Sequence, residues 1–393
     1  MKYVMIIPDG LGDYPVGIIG DKTPVEAAYT PNLDEISLKG RLGLCHTTPS
    51  GFDPGSDVCI MSLMGYNPKE YYSGRAPLEA ESLGIKVKED DLVIRCNLIH
   101  TNEGKIIDHC AGHITSDESK ELIKTLSEKL GSDIIKFYPG VSYRNILVWK
   151  SKKQFDLKTI PPHDVPGELI EKNLPRGNDK DFLIDLMLKS RDILKDHPVN
   201  IKRRNTGKPT ADMIWLWGSG FKPHLTSFKE KFGLNGCVIS AVDLIRGIAS
   251  IIGLKEIKVP GITGYFDTNY EGKGKYGVEA LKDNDFLIIH IESPDEAGHA
   301  GKLDEKIKAI ECIDKFIIGP IYEELKKHSK YRILISPDHY TPVEKKIHIN
   351  EPVPFVINGY GINSENKLFS ERNANESSLV FKDGYKMMSL LLT

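Results

Sequence analysis

The run 283-DNDFLIIHIESPDEAGHAG-301 decides the fold. Its first half, Phe286–Ile291, is short, apolar and bounded by turn residues, which predicts a strand buried on both faces. Its second half sets Asp295, Glu296 and His299 among Pro294, Gly298 and Gly301, which predicts a tight loop of polar groups just past the strand. In open α/β sheets the carboxyl ends of strands are where ligands bind. A polar cluster at that point asks for a partner.

Working outward, Tyr3–Ile7, Cys237–Ile239 and Tyr331–Ile335 repeat the strand pattern. Helical periodicity falls between them, over 34–39, 241–252 and 302–327. Strands alternating with helices predict an α/β fold on a mostly parallel sheet. The middle of the chain has a different texture, with strands expected at 92–98 and 145–149 and helices at 116–130 and 181–196. We read 67–210 as an α+β domain inserted into a discontinuous core of 1–66 and 211–393. A length of 393 residues suits two such bodies better than one core.

Composition narrows the partners. A formal net charge of −3 and the lack of a basic block argue against nucleic acid. The apolar runs FLIIHI and KFIIGPI are far too short to span a membrane, and the apolar start MKYVMII is too short for a signal-peptide core. Six cysteines, at 45, 59, 96, 110, 237 and 312, form no CxxC pair. That usage fits reduced thiols in a cytoplasmic, soluble protein. No sequence feature points to a particular oligomeric state.

Three expected strands finish by presenting acids or acid–histidine sets. YVMIIPDG places Asp9, FLIIHIESPDEAGH places Asp295 and His299, and YRILISPDHYTP places Asp338 and His339. His348 follows in HINEPVPF. One aspartate after a strand is ordinarily a turn former, and one histidine signifies nothing. Three sets at three strand ends are a different matter. Three Asp and three His exceed the needs of one tetrahedral ion and suit two adjacent divalent ions. The segment TTPSGFDPGSDVCIMSLMGY adds Ser56 and Asp57 at the start of a helical run. A serine there is commonly an N-cap, but the same position has free N–H groups for a phosphate and could carry a nucleophile.

PDGLGD, TPNLD, PGSD, PDEAGHAG, SPDH and HINEPVPF together resemble the alkaline phosphatase superfamily. GYNPKEYYSGRAPLEA and ADMIWLWGSG narrow the resemblance to its archaeal-type cofactor-independent phosphoglycerate mutases. The resemblance spans nearly the whole chain and weakens in the insertion. It implies an alkaline-phosphatase-like core with one metal on Asp295, His299 and His348, and a second on Asp9, Asp338, His339 and the Ser56 hydroxyl. Manganese is the expected ion, with zinc or cobalt as alternatives, and 2,3-bisphosphoglycerate is not required. The implied reaction interconverts 3-phosphoglycerate and 2-phosphoglycerate through a phosphoserine at Ser56, with the insertion as a lid against water.

A small acid bearing carboxylate and phosphate calls for arginine forks. Arg75, Arg95, Arg144 and Arg203 or Arg204 are the candidates, with a solvated surface arginine the plain alternative for each. Lys273 and Lys275, in what reads as the glycine-spaced loop EGKGK, are phosphate candidates. His109 and His113 in HCAGH could move a proton, bind metal or serve structure. Trp215 and Trp217 read as core.

Three other readings compete: a phosphatase or phosphodiesterase on the same metals, a different phosphotransferase (some bacterial relatives have been proposed as homoserine kinases), and a non-enzymatic metal-binding scaffold. No G-x-x-x-x-G-K-[ST] loop occurs, which argues against a P-loop kinase only.

Overall fold

The computed structural model describes residues 1–393. In chain order the strands are β1 (Lys2–Pro8), β2 (Arg41–Cys45), β3 (Leu92–Asn102), β4 (Lys105–Asp108), β5 (Ile135–Val141), β6 (Arg144–Trp149) and β7 (Met213–Gly220). They continue with β8 (Gly236–Ile239), β9 (Lys255–Glu256), β10 (Phe286–Ile291), β11 (Tyr331–Ile335), β12 (Val353–Gly359) and β13 (Val380–Phe381). The chain divides into two compact units, Met1–Tyr72 with Leu225–Thr393, and Ser73–His224.

The first unit is built on an eight-stranded sheet in the order β13-β2-β12-β11-β1-β10-β8-β9. β1 lies between β10 and β11, parallel to both, and β10 is parallel to β8, while β12 runs antiparallel to β11 and β2. The α/β class with a mostly parallel sheet is therefore what forms. All six residues of β10 are buried, as a central strand covered on both faces requires. Val4, Ile6, Leu287, Ile289, Ile333 and Ile335 form the middle of the core under that sheet.

Helix 302–327, expected to be continuous, is broken into Leu303–Ile313, a π turn at Asp314–Ile318, and Gly319–Leu325. Pro320 has no N–H to give the Phe316 carbonyl, so the helical ladder cannot continue there. That carbonyl would lie 1.9 Å from a Cβ on Gly274 of the neighbouring helix Tyr270–Asp283. EGKGK is thus not a phosphate loop. It is helical, and its glycines let two helices approach closely.

The second unit holds an antiparallel sheet in the order β4-β3-β6-β5, with β7 on the other side of β3. Helices Ser116–Leu130 and Lys180–Lys195 bury Leu122, Ile123, Leu126, Leu183 and Met187 in the same core as β3, β6 and β7. Its limits, 73 and 224, differ from the expected 67 and 210. The later limit follows from β7, which pairs antiparallel with β3 from Val93 to Ile99 and so belongs to the second unit.

Candidate metal centre

The sheet register sets the site. Parallel pairing of β1 with β10 and β11 brings Asp9, the residues after Ile291, and those after Ile335 to one edge. The expected loop after β10 is instead a helix, Ser293–Ala300, with Pro294 in its first turn and Gly301 ending it at φ +65°. Asp295 and His299, four residues apart, therefore share one helix face. Gly298 is required because a Cβ there would sit 2.1 Å from the Thr341 carbonyl oxygen.

Two donor groups form. In the first, His299 Nε2 lies 3.3 Å from Asp295 Oδ2, His348 Nε2 lies 3.4 Å from Asp295 Oδ1, and the two Nε2 atoms are 2.9 Å apart. Each ring uses Nδ1 on a backbone carbonyl, His299 on Lys346 and His348 on Pro54. Those bonds place the ring protons on Nδ1 and turn two lone pairs toward each other. Only a proton or a cation reconciles them. Burial opposes charge on His299, but its bond to Asp295 raises its pKa to about 9. Burial would likewise raise the Asp295 carboxyl, yet the imidazoles of His299 and His348 beside it hold it well below the usual range.

In the second group, His339 Nε2 lies 3.4 Å from Asp9 Oδ1 and 3.3 Å from Asp338 Oδ2. Both carboxylate oxygens are buried without a hydrogen-bond partner. Gly10 N–H and His339 N–H donate to the other Asp338 oxygen, at 3.1 and 3.0 Å. Burial, then Asp338, Glu292 and Asp295, push the Asp9 pKa well up. Orphaned buried carboxylate oxygens around a neutral imidazole are a donor set that a divalent cation satisfies. The His339 and His348 rings stack at 3.9 Å between centroids, which joins the two groups.

Ser56 opens the helix Ser56–Leu63, with no side-chain cap bond at its N-terminus. Its Oγ is 3.5 Å from Asp9 Oδ2 and 3.4 Å from His339 Nε2. The structure thus gathers Ser56, Asp9, Asp295, His299, Asp338, His339 and His348.

Sequence reasoning missed His290 and Glu292. His290 Nε2 is 2.9 Å from Asp9 Oδ2 and 3.7 Å from Glu292 Oε2. Burial drives the imidazole down to about 3 and the Glu292 carboxyl up to about 8. The available signal was a polar residue in an otherwise apolar central strand. Lys273 is fully buried, donates to the His290 carbonyl at 2.8 Å, and is lowered by burial to about 8. Lys275 of the same helix is exposed.

The second unit gathers three of the expected arginines. Glu79 receives Arg75 Nε at 3.2 Å on one oxygen and Arg95 Nε at 2.9 Å on the other. Arg95 is buried with its guanidinium 4.0 Å over the Trp217 ring, and burial, with Arg75 and Arg144 nearby, lowers it to about 10. Arg144 stands over Tyr143, and Tyr143, His109, His163 and Trp217 continue edge to face around the cluster. His113 is exposed with φ +49°, while burial lowers the pKa of His109. Arg204 lies elsewhere, donating to the Lys195 carbonyl beside a cavity of about 550 Å³ with Arg191 and Asp212. Arg203 is structural: it ties Glu118, Pro209 and Ala111 together from a buried position.

A family model described as 2,3-bisphosphoglycerate-independent phosphoglycerate mutase matches residues 38–200. A protein of that name from Methanosarcina mazei is 49% identical over 91% of this chain and 90% of its own length. A probable 2,3-bisphosphoglycerate-independent phosphoglycerate mutase from Geobacter sulfurreducens is 45% identical over the whole of both chains. Among solved structures, a protein from Pyrococcus horikoshii superposes with a TM-score of 0.83 at 29% identity, covering 100% of this chain and 97% of its own. A cofactor-independent phosphoglycerate mutase from Thermoplasma acidophilum does so at 0.67 and 28%, covering 100% and 99%. With these similarities running end to end, the chain belongs to the 2,3-bisphosphoglycerate-independent phosphoglycerate mutases of archaeal type.

Proposed function

We propose that this chain interconverts 3-phosphoglycerate and 2-phosphoglycerate by way of a phosphoserine at Ser56. The observation that carries the reading is the position of Ser56 Oγ, half-buried at a helix start and within 3.5 Å of both Asp9 and His339. Ser56 Oγ attacks phosphorus, the bond from phosphorus to the glycerate 3-oxygen breaks, and the serine proton passes to that oxygen. The glycerate then turns, its 2-hydroxyl attacks the phosphoserine, and Ser56 regains a proton. The phosphoryl group is carried by the chain itself, so no bisphosphorylated sugar acid is needed. N–H groups at the start of the helix Ser56–Leu63 face an incoming phosphate and favour its charge.

Asp295, His299 and His348 would hold one divalent ion, and Asp9, Asp338, His339 and Ser56 the other. Manganese is our assignment, and zinc or cobalt accepts the same donors. Such ions, when bound, stabilise charge on the transferring oxygens and lower the serine pKa. Arg75 and Arg144 are our choice for gripping the substrate's acid groups. Arg95, wedged between Glu79 and Trp217, holds that cluster in place. We place the reaction in the cytoplasm. The cysteines are unpaired thiols and no helix is long and apolar enough to cross a membrane, both of which suit that compartment.

The test is phosphorus NMR of manganese-loaded protein with 3-phosphoglycerate alone, the metal being chelated before the spectrum. The expected result is 2-phosphoglycerate without free phosphate. Free phosphate as the main product would replace the mutase with a phosphatase, and no change would send the search to other acceptors, homoserine first.

A further inference from the structure

We infer that Ser240 and His290 form a relay that positions Asp9, with His290 acting through Asp9 rather than as a donor to an ion. The inference rests on Asp9 being a metal ligand, as proposed above. β1, β10 and β8 are adjacent, and their registers pair Ile7 with His290 and Ile289 with Ile239. Asp9, His290 and Ser240 thus stand in a row across the carboxyl edge of three neighbouring strands.

The hydrogen bonds run one way along that row. Val242 N–H donates to Ser240 Oγ at 3.1 Å, so the hydroxyl hydrogen is left for His290 Nδ1, 3.2 Å away. With Nδ1 accepting, the ring proton sits on Nε2 and points at Asp9 Oδ2, 2.9 Å away. Asp9 then has one oxygen engaged by protein, and Oδ1, the orphan, is held toward His339. Like charges on Asp338 and Glu292 would otherwise turn the carboxylate.

The other possibility is that His290 itself takes a metal, since donor atoms of Asp9, His290 and Glu292 fall within 4.8 Å of one another. Both ring nitrogens already have partners, however, which is the arrangement of a residue that orients a ligand. A fully buried imidazole inside the strand FLIIHI is costly unless it serves such a purpose.

Manganese binding to the metal-free protein, without substrate, tests the relay through the paramagnetic signal of the unbound ion. Wild type is expected to take two ions. In Ser240→Ala, which removes one hydroxyl, affinity at the Asp9 site should fall about tenfold, and in His290→Leu about a hundredfold. His290→Gln keeps an N–H in reach of Asp9 and should fall between them. The ion on Asp295, His299 and His348 should bind as before.

Unchanged affinity in Ser240→Ala and His290→Gln overturns the relay. So does outright loss of one ion in His290→Leu with Ser240→Ala unaffected, which would make His290 a ligand. Equal weakening of both ions would reduce the pair to scaffolding. Should His290→Leu fail the circular-dichroism check of folding, the other two variants decide. A wild type that binds fewer than two ions overturns the metal reading itself, before any variant is compared.

Discussion

The two units carry opposite charge imbalances. In the first, Asp9, Asp295, Asp338 and Glu292 crowd one strand edge, and oxygens of Asp9, Asp338 and Glu292 are buried without partners. In the second, Arg75 and Arg95 share the Glu79 carboxylate, and the charge of Arg144 acts on Arg95. Burying like charges is expensive until something complements them. The first cluster calls for cations and the second for an anion. On the proposed function that contrast separates the chemistry from the grip, and it can be broken by experiment.

The largest effect should come from Ser56→Ala. Phosphoryl transfer should fall by several orders of magnitude in the phosphorus NMR assay, while elemental analysis still finds two ions, because six carboxylate and imidazole donors besides the hydroxyl remain. Substantial turnover in this variant would move the nucleophile elsewhere and leave the first unit as a binding site only.

Next comes Lys306, which shows what a paired buried charge does beside the unpaired ones. Its ammonium donates to Asp13 Oδ2 at 2.8 Å and the Thr341 carbonyl at 2.9 Å, joining the segment after β1 to the segment after β11. Lys306→Met leaves the buried Asp13 carboxylate without its counter-charge, with only the Tyr14 and Val343 N–H groups on it, and should lower stability by about 3 kcal/mol, read from denaturant midpoints. Adding Asp13→Asn should restore part of it. A single variant as stable as wild type would remove the brace.

Arg144→Ala is expected to raise KM about tenfold or more, the worth of one fork on an anion, with metal content unchanged. Loss of an ion in this variant would erase the distinction between the two clusters.

The two regions also differed in how far their residues could be read in advance. β10 and β11 were legible to the residue, because a buried parallel strand is a short apolar run with sharp ends. Asp9, Asp295 and Asp338 were legible as one group because each follows such a strand within a few residues. The helix that carries Asp295 and His299 was not, since Pro294, Gly298 and Gly301 imitate a loop. Gly298 answers to the Thr341 carbonyl, some forty residues away, which no local pattern contains. His290 was hidden inside a strand. In the second unit Arg75, Arg95 and Arg144 come from a helix start and two strands, so nothing local marks them as one group, and Arg204 looked no different from them.

The smallest effect is the most discriminating. In the metal-free protein His299, raised from 6.5 to about 9, carries a proton at neutral pH. Its folded pKa lies above the unfolded one, so its contribution to stability is complete below about 6.5 and is lost as pH rises through about 9. The melting temperature of metal-free protein should fall over that window. A cation on Asp295, His299 and His348 must displace the proton, so loading should flatten the dependence. Calorimetry in buffers of different ionisation enthalpy should show release of about one proton with that ion at pH 7, and affinity should weaken as pH falls. Arg95, lowered by burial to about 10, stays charged at pH 7. Arg144→Ala should therefore leave the proton count untouched, whereas His299→Ala should abolish it. A count that followed the arginine would mean that the two clusters titrate as one.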